Sequence, residues 1–523
     1  MRPIRTVLFL LSLMAAAIST AVGAPPAIVT QGSGAATACI TCHGVDGAGN
    51  PLAGFPALAH LPQAYFIKQI ADFKVGTRAN PIMASIAKAL SSEDAASAAA
   101  YYASLPRTKI PSSDADPAVL ARGEELARNG DWEQDIPPCF KCHVNGGVGV
   151  EPAFPPIVGQ HATYIVTQLK AWRSGLRRND PQSLMKALSD SLGDEDMQAV
   201  AQYLTTRTGA EPADIGAFQS KVPSKKVSSK EESRPTSAVK FVPPPESEIP
   251  DNEFGNTVLL GKSIFINTQQ HASAFVGNGL NCANCHLNNG RKPYSAPLWA
   301  AYVIYPAYRS KTQQVDTIQT RIQGCFQFSM DGKAPPVDSK EMTALVTYHY
   351  WLASGAPTGT RLPGQGFLNL AQPPQTPDMK RGEAVYTNSC VICHGADGQG
   401  TPTENGYAFP PLWGKDSFNW GAGMHRINTA AGFIKANMPY GLGGSLTDQE
   451  AWDVALFVNS HDRPGDPRFV QSVEHTRDKH HNENCLYGRT PEALEKLLDK
   501  KAKADADKNP AKEERGLSPA TAH

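Results

Sequence analysis

Residues Cys282–His286 read CANCH, and Arg321–Gly332 read RIQGCFQFSMDG. A C-x-x-C-H run is the attachment signature of c-type haem. Its two thiols bond to the vinyl groups and the following histidine binds the iron. The second run sets a lone Cys325 where such a module presents its other axial ligand. Arg321 lies four residues before it and Ser329 four after. A thiolate-ligated or open iron beside a fixed positive charge implies chemistry on an anion.

The same signature recurs at Cys39/Cys42/His43, Cys139/Cys142/His143 and Cys390/Cys393/His394. One C-x-x-C pair can serve zinc or thiol redox chemistry, but four followed by histidine predict four covalently bound c-type haems. Their thioether residues are Cys39, Cys42, Cys139, Cys142, Cys282, Cys285, Cys390 and Cys393. Their proximal ligands are His43, His143, His286 and His394. Of the ten cysteines, Cys325 and Cys485 are left over.

Residues 1–24 read as a signal peptide. Arg2 and Arg5 precede an apolar run, Val7 to Ile18, that is short for a bilayer span. No later segment is long and apolar enough to cross a membrane. The expectation is a periplasmic protein that does not span the membrane once the signal is removed. The formal net charge of zero points to neither nucleic acid nor an anionic membrane surface as a partner. At 523 residues the chain has length for several domains.

The first two motifs sit in a tandem repeat. Gly54-Phe55-Pro56-Ala57-Leu58 follows the first and Phe154-Pro155-Pro156-Ile157 the second. Tyr65–Phe73 then matches Tyr164–Trp172. Acidic residues at Glu93/Asp94 and Asp194/Glu195/Asp196 open a closing helix in each half. His60 and His161 occupy matching places and read as structural or surface histidines. This pattern resembles the class I cytochrome c fold, and the pair resembles dihaem electron-carrying cytochromes c. The resemblance makes Met83 and Met185 the sixth ligands, 40 and 42 residues after His43 and His143. The third and fourth motifs repeat the frame, with Met438 as sixth ligand 44 residues after His394. Gly382 is expected to face Phe457 where first and last helices cross. The predicted fold is mainly α, with four class I cytochrome c-like domains in two tandem pairs. Domains span 25–107 and 108–208, then, after a flexible linker over 209–247, 248–362 and 363–465. Residues 466–523 read as a polar, mobile surface tail, with Cys485 and the His480-His481 pair in it offering a metal site as the alternative.

Spacing alone leaves Cys325 open among a buried thiol, a disulfide with Cys485, a haem ligand, and a neighbour of a Met330 ligand. Residues 250–465 resemble the thiosulfate dehydrogenase family, whose first haem domain also resembles the haem subunit of the sulfur-oxidising Sox complex. The resemblance rests on CANCH, Tyr308-Arg309, and Arg321, Cys325, Phe326, Ser329 and Met330 occurring in order. The stretch Gly421–Arg426 belongs with them. It implies a His286/Cys325-ligated catalytic haem, with Arg321, Arg309 and Ser329 as substrate residues and Lys311 and Lys333 as further cations. It also implies thiosulfate as substrate, tetrathionate as product, and an external periplasmic acceptor such as a small redox protein or terminal oxidase. Some members offer a lysine beside the second-haem methionine. Here Asn437 precedes Met438, with Lys435 further off, which implies plain His394/Met438 ligation. The N-terminal pair resembles that family's electron-accepting partner, fused in front. A non-enzymatic multihaem electron carrier, a tetrathionate reductase and Sox-type oxidation of a sulfur-carrier protein are the alternatives.

Overall fold

In a computed structural model the chain is described over residues 23–107, 110, 115–207 and 241–498, apart from 310, 360, 404, 405 and 495. Most of the signal peptide and of the linker lie outside the described residues. The architecture is mainly α. The only strands among the described residues form two antiparallel hairpins, Ala307–Arg309 with Gln314–Asp316 and Thr401–Thr403 with Gly406–Phe409.

In three of the four domains the first and last helices cross at a glycine. Helix Pro117–Arg128 meets Asp194–Thr206 at Gly123, Glu253–Ile266 meets Lys340–Leu352 at Gly261, and Met379–Ser389 meets Asp448–Asn459 at Gly382. A Cβ at these glycines would lie 2.1, 2.1 and 2.2 Å from the carbonyl oxygens of Ala199, Ala344 and Asp453. Only a bare backbone allows that approach. An aromatic one turn on closes each crossing: Tyr203, Tyr348 and, as expected for Gly382, Phe457. In the first, third and fourth domains a side-chain cap fixes where the last helix begins. Ser91, Ser339 and Thr447 each accept a backbone N–H of the first turn.

Two boundaries differ from expectation. Residues 241–247, assigned to the linker, dock on the third domain. Phe241 packs on Trp299 with ring centroids 5.4 Å apart, and Glu246 pairs with the buried Lys262. The larger correction concerns the tail. Over 466–498 it packs into the fourth domain rather than lying as a mobile surface segment. Cys485, Leu486, Leu494 and Leu498 join Trp420, Ile427 and Trp452 in one buried cluster. The average polarity of the segment conceals sparse apolar residues at helical spacing, Leu494 and Leu498, that reach this core together. Residues 499–523 lie outside the described residues.

The second and fourth domains meet through their haem-attachment loops. Val144 and Phe154 share a buried cluster with Ala408 and Phe409, against which Cys142 and Cys393 both pack. The Phe154 and Phe409 rings are 5.1 Å apart. His161, buried, places its Nε2 2.8 Å from the Ala48 carbonyl, so it ties the two N-terminal domains together.

Candidate active site

The four C-x-x-C-H histidines share one arrangement. Their Nδ1 atoms lie 3.0, 2.6, 2.7 and 2.8 Å from the carbonyl oxygens of Pro56, Pro155, Ala296 and Pro410. A carbonyl only accepts, so each Nδ1 carries the proton and each Nε2 presents a lone pair. Burial also lowers the pKa of His43, His143 and His394, favouring the neutral ring that binds metal. The eight motif cysteines form no disulfides. This donor set fits covalently bound haem at all four motifs. Of the expected sixth ligands, Met83 lies in the first turn of helix Pro81–Ala89 and Met185 in Leu184–Ser191. Met438 directly follows Ile427–Asn437, and all three side chains are half-buried.

The segment around Cys325 is shaped by an irregular helix. A reciprocal cap between Thr317 and Thr320 starts helix Ile318–Gly324, which runs into a π turn over Cys325–Ser329. Such turns are frequent at functional sites. Here Phe326 and Met330 enter the apolar core, while the Cys325 sulfur comes within hydrogen-bonding reach of His286. Of the two residues that spacing could not separate, Cys325 is the one whose sulfur the His286 ring influences, and Met330 is buried in the core. Both Cys325 and Cys485 are free thiols, so the alternative of a disulfide between them does not hold. Arg321 Nη1 donates to Cys325 Sγ at 2.8 Å. Burial pushes the Cys325 thiol up, but the charge of Arg321, with help from His286 and Lys311, outweighs it and brings the pKa down to about 6.

Beside Arg321 opens a cavity of about 230 Å³, walled by Arg309, Lys311, Arg321, Gly324, Gln327 and Phe328 among others. Arg321 thus faces the cavity and holds the sulfur behind it. Arg309 also lines the cavity, but Asp316, almost fully buried, pairs with it at 3.3 Å and offsets part of its charge. Lys311 is the less compensated cation. It donates to the Gly421 carbonyl at 2.6 Å and lies 3.7 Å from the Phe328 ring centroid. Burial, then the charges of Arg468, Arg321 and Arg309, brings its pKa down to about 7.

Ser329 does not line this cavity. Its carbonyl accepts from Asn278, and it ends the π turn. Lys333 is exposed and takes no part in the cavity wall. Sequence reasoning missed Arg468, whose guanidinium lies 5.1 Å from the Phe328 ring centroid. It comes from the segment read as a tail, and nothing in the sequence links it to a loop some 140 residues earlier.

Fold and site together define a multidomain c-type cytochrome with an anion-attracting redox pocket on its third domain. The family description SoxA/TsdA, cytochrome c domain, matches residues 269–358, Cytochrome c matches 379–462, and cytochrome c oxidase, cbb3-type, subunit III matches 32–101. The chain is 56% identical to a thiosulfate dehydrogenase of Stutzerimonas stutzeri over 48% of its own length and 82% of the relative's. A thiosulfate dehydrogenase electron acceptor from the same organism is 45% identical over 34% of this chain and 82% of that protein. The solved thiosulfate dehydrogenase (TsdBA) of Marichromatium purpuratum aligns with TM-score 0.79 at 41% identity. The alignment covers 88% of this chain and 96% of that one. The chain belongs to the thiosulfate dehydrogenase family, in the form that carries its electron-acceptor module fused to the enzyme.

Proposed function

We propose that this protein couples two thiosulfate ions to tetrathionate at the pocket beside Cys325 and passes the electrons inward to its other haem domains. The observation that carries the reading is the position of Arg321, shared between the cationic cavity and the Cys325 sulfur. Two dianions form one sulfur–sulfur bond and become one dianion, and two electrons leave without a proton. The barrier the protein must lower is the mutual repulsion of two anions. Lys311, Arg309 and Arg321 offset it, and Arg321 keeps the Cys325 sulfur in its anionic, ligating form. Haem, when bound at each of the four motifs, supplies a one-electron acceptor.

The ligand sets His43/Met83, His143/Met185, His286/Cys325 and His394/Met438 complete this reading. The periplasm is the compartment that fits both the N-terminal signal and covalent haem attachment. Electrons would leave the third domain for the fourth and then reach the N-terminal pair. Contact between Phe409 and Phe154, beside Cys393 and Cys142, supports the second domain as the point of arrival.

The test is to add thiosulfate to the oxidised, fully haem-loaded protein while following haem bands and tetrathionate. Reduction should accompany tetrathionate formation. C325A should lose both while dithionite still reduces every haem. Haem reduction with no tetrathionate, or undiminished turnover in C325A, overturns the proposal. Reduction of the N-terminal haems ahead of the third and fourth would reject the electron route.

A further inference from the structure

Behind the pocket, three side chains converge that the thiosulfate reaction does not use. His425, His481 and Cys485 place one ligand atom each within 4.8 Å of one another. Both histidines have one ring nitrogen committed elsewhere. His481 Nε2 lies 2.9 Å from Asp466 Oδ2, which can only accept from it when ionised, so the proton sits on Nε2. The His481 Nδ1 lone pair then points at Cys485 Sγ, 3.1 Å away. His425 Nδ1 donates to the Ala422 carbonyl. Its Nε2 is buried without a hydrogen-bond partner, on a side chain only 2% exposed. An unpartnered buried lone pair is costly, and metal coordination is one way to satisfy it.

We infer that His425 Nε2, His481 Nδ1 and Cys485 Sγ form a metal site for one thiophilic ion, copper(I) or zinc(II). Two neutral imidazoles and a thiolate are the donors such ions select. The Asp466–His481 pair supplies the outer carboxylate that orients a ligating histidine. Cys485 is fully buried, which excludes the rival reading of Cys485, His481 and Asp466 as a nucleophilic triad open to substrate. Arg426, Arg463 and Arg489 surround the thiol. A monovalent ion with one thiolate is neutral, so this cationic setting favours copper(I). Binding replaces the thiol proton, and one proton leaves for each ion bound.

The site would clasp the C-terminal segment to the pocket wall. Asp466 holds His481 on one side and Arg468 on the other, and Arg468 stacks on Phe328. His425 belongs to the loop whose Gly421 carbonyl accepts from Lys311.

The test uses the full-length, fully haem-loaded protein. Elemental analysis, with X-ray absorption at the copper and zinc edges, reads the ion as isolated. Competition against a chromogenic chelator reads affinity after reconstitution with each ion separately. About one ion per chain with sulfur and nitrogen neighbours is expected, and at least a tenfold weaker hold on it in C485S and H425Q. The haem-to-protein ratio should stay unchanged. Retention of copper alone or zinc alone upholds the site and names its ion. A wild-type protein that lacks the ion as isolated and, for both metals, loses it to the chelator as readily as H425Q overturns the inference. That comparison stands even if C485S does not fold.

Discussion

Lys311 gives the most exposed prediction. It is cationic below its pKa and neutral above, and that pKa is brought down to about 7 by burial and by Arg468, Arg321 and Arg309. Loss of the charge therefore falls on the alkaline side of neutrality, where the guanidiniums do not titrate. The free enzyme's ionisation governs kcat/KM. With a pKa of about 7, the charged fraction drops about tenfold between pH 6 and 8 and about tenfold again by pH 9. A charge-assisted contact to an oxyanion contributes roughly 1.5–3 kcal/mol, so the decline should level off about 10- to 150-fold below the acid plateau. Steady-state thiosulfate oxidation with an artificial acceptor from pH 5.5 to 9.5 measures this. K311R should flatten the profile, since arginine stays charged. K311M should sit at the low plateau with no alkaline decline, leaving only the acid limb of the Cys325 thiol, whose pKa of about 6 falls inside this range. If K311R declines as the wild type does, or K311M matches the wild type at pH 6, Lys311 is not the substrate cation.

Substitutions at three further positions test the site, the route and the fold. R321Q removes the guanidinium that touches both cavity and sulfur, and should slow thiosulfate-driven haem reduction by about 10- to 150-fold, read by stopped flow. R321K should recover only part of it, lacking the fork. F409A takes away the ring packed on Phe154. It should delay reduction of the N-terminal haems after mixing with thiosulfate while leaving the initial phase at wild-type rate. Equal delay in both phases would place the exit elsewhere. G382A puts a methyl group 2.2 Å from the Asp453 carbonyl. It should cost about 1–3 kcal/mol and lower the fourth domain's melting transition by several degrees in calorimetry.

Sequence made some of this legible because the chemistry is local. A C-x-x-C-H run needs no partner elsewhere in the chain, and helix crossings announce themselves as glycine facing an aromatic a domain-length later. Lys311 against Arg309 shows the limit. Both lie beside the pocket, but the ranking depends on Asp316, which pairs with Arg309, and on Gly421 and Phe328, which hold Lys311. No spacing rule links those positions. Cys325 against Met330 is similar, since only the π turn separates a side chain bound for the core from one facing His286. The segment after 465 misled through its composition. Charged residues dominate it, and its few apolar ones gain meaning only against a surface that distant residues build.

The fourth domain then emerges as more than an intermediate carrier. Its loop at Phe409 contacts the second domain, its 421–426 segment backs the cationic cavity, and its helical core receives the C-terminal segment. A change on any of these surfaces is felt through one packed unit. This bears on why a fused acceptor helps. Covalent fusion raises the local concentration of the N-terminal pair, but proximity alone does not orient one haem edge toward another. Orientation here is specified by Phe154 on Phe409 and by Trp132 against Tyr440, with ring centroids 5.5 Å apart and perpendicular planes. Fusion supplies the encounter and these apolar contacts supply the register. A linker lengthened by a Gly/Ser insert should therefore leave intramolecular electron transfer nearly unchanged, whereas F409A should slow it. Slowing by the insert alone would mean that the tether, not the contact, sets the geometry.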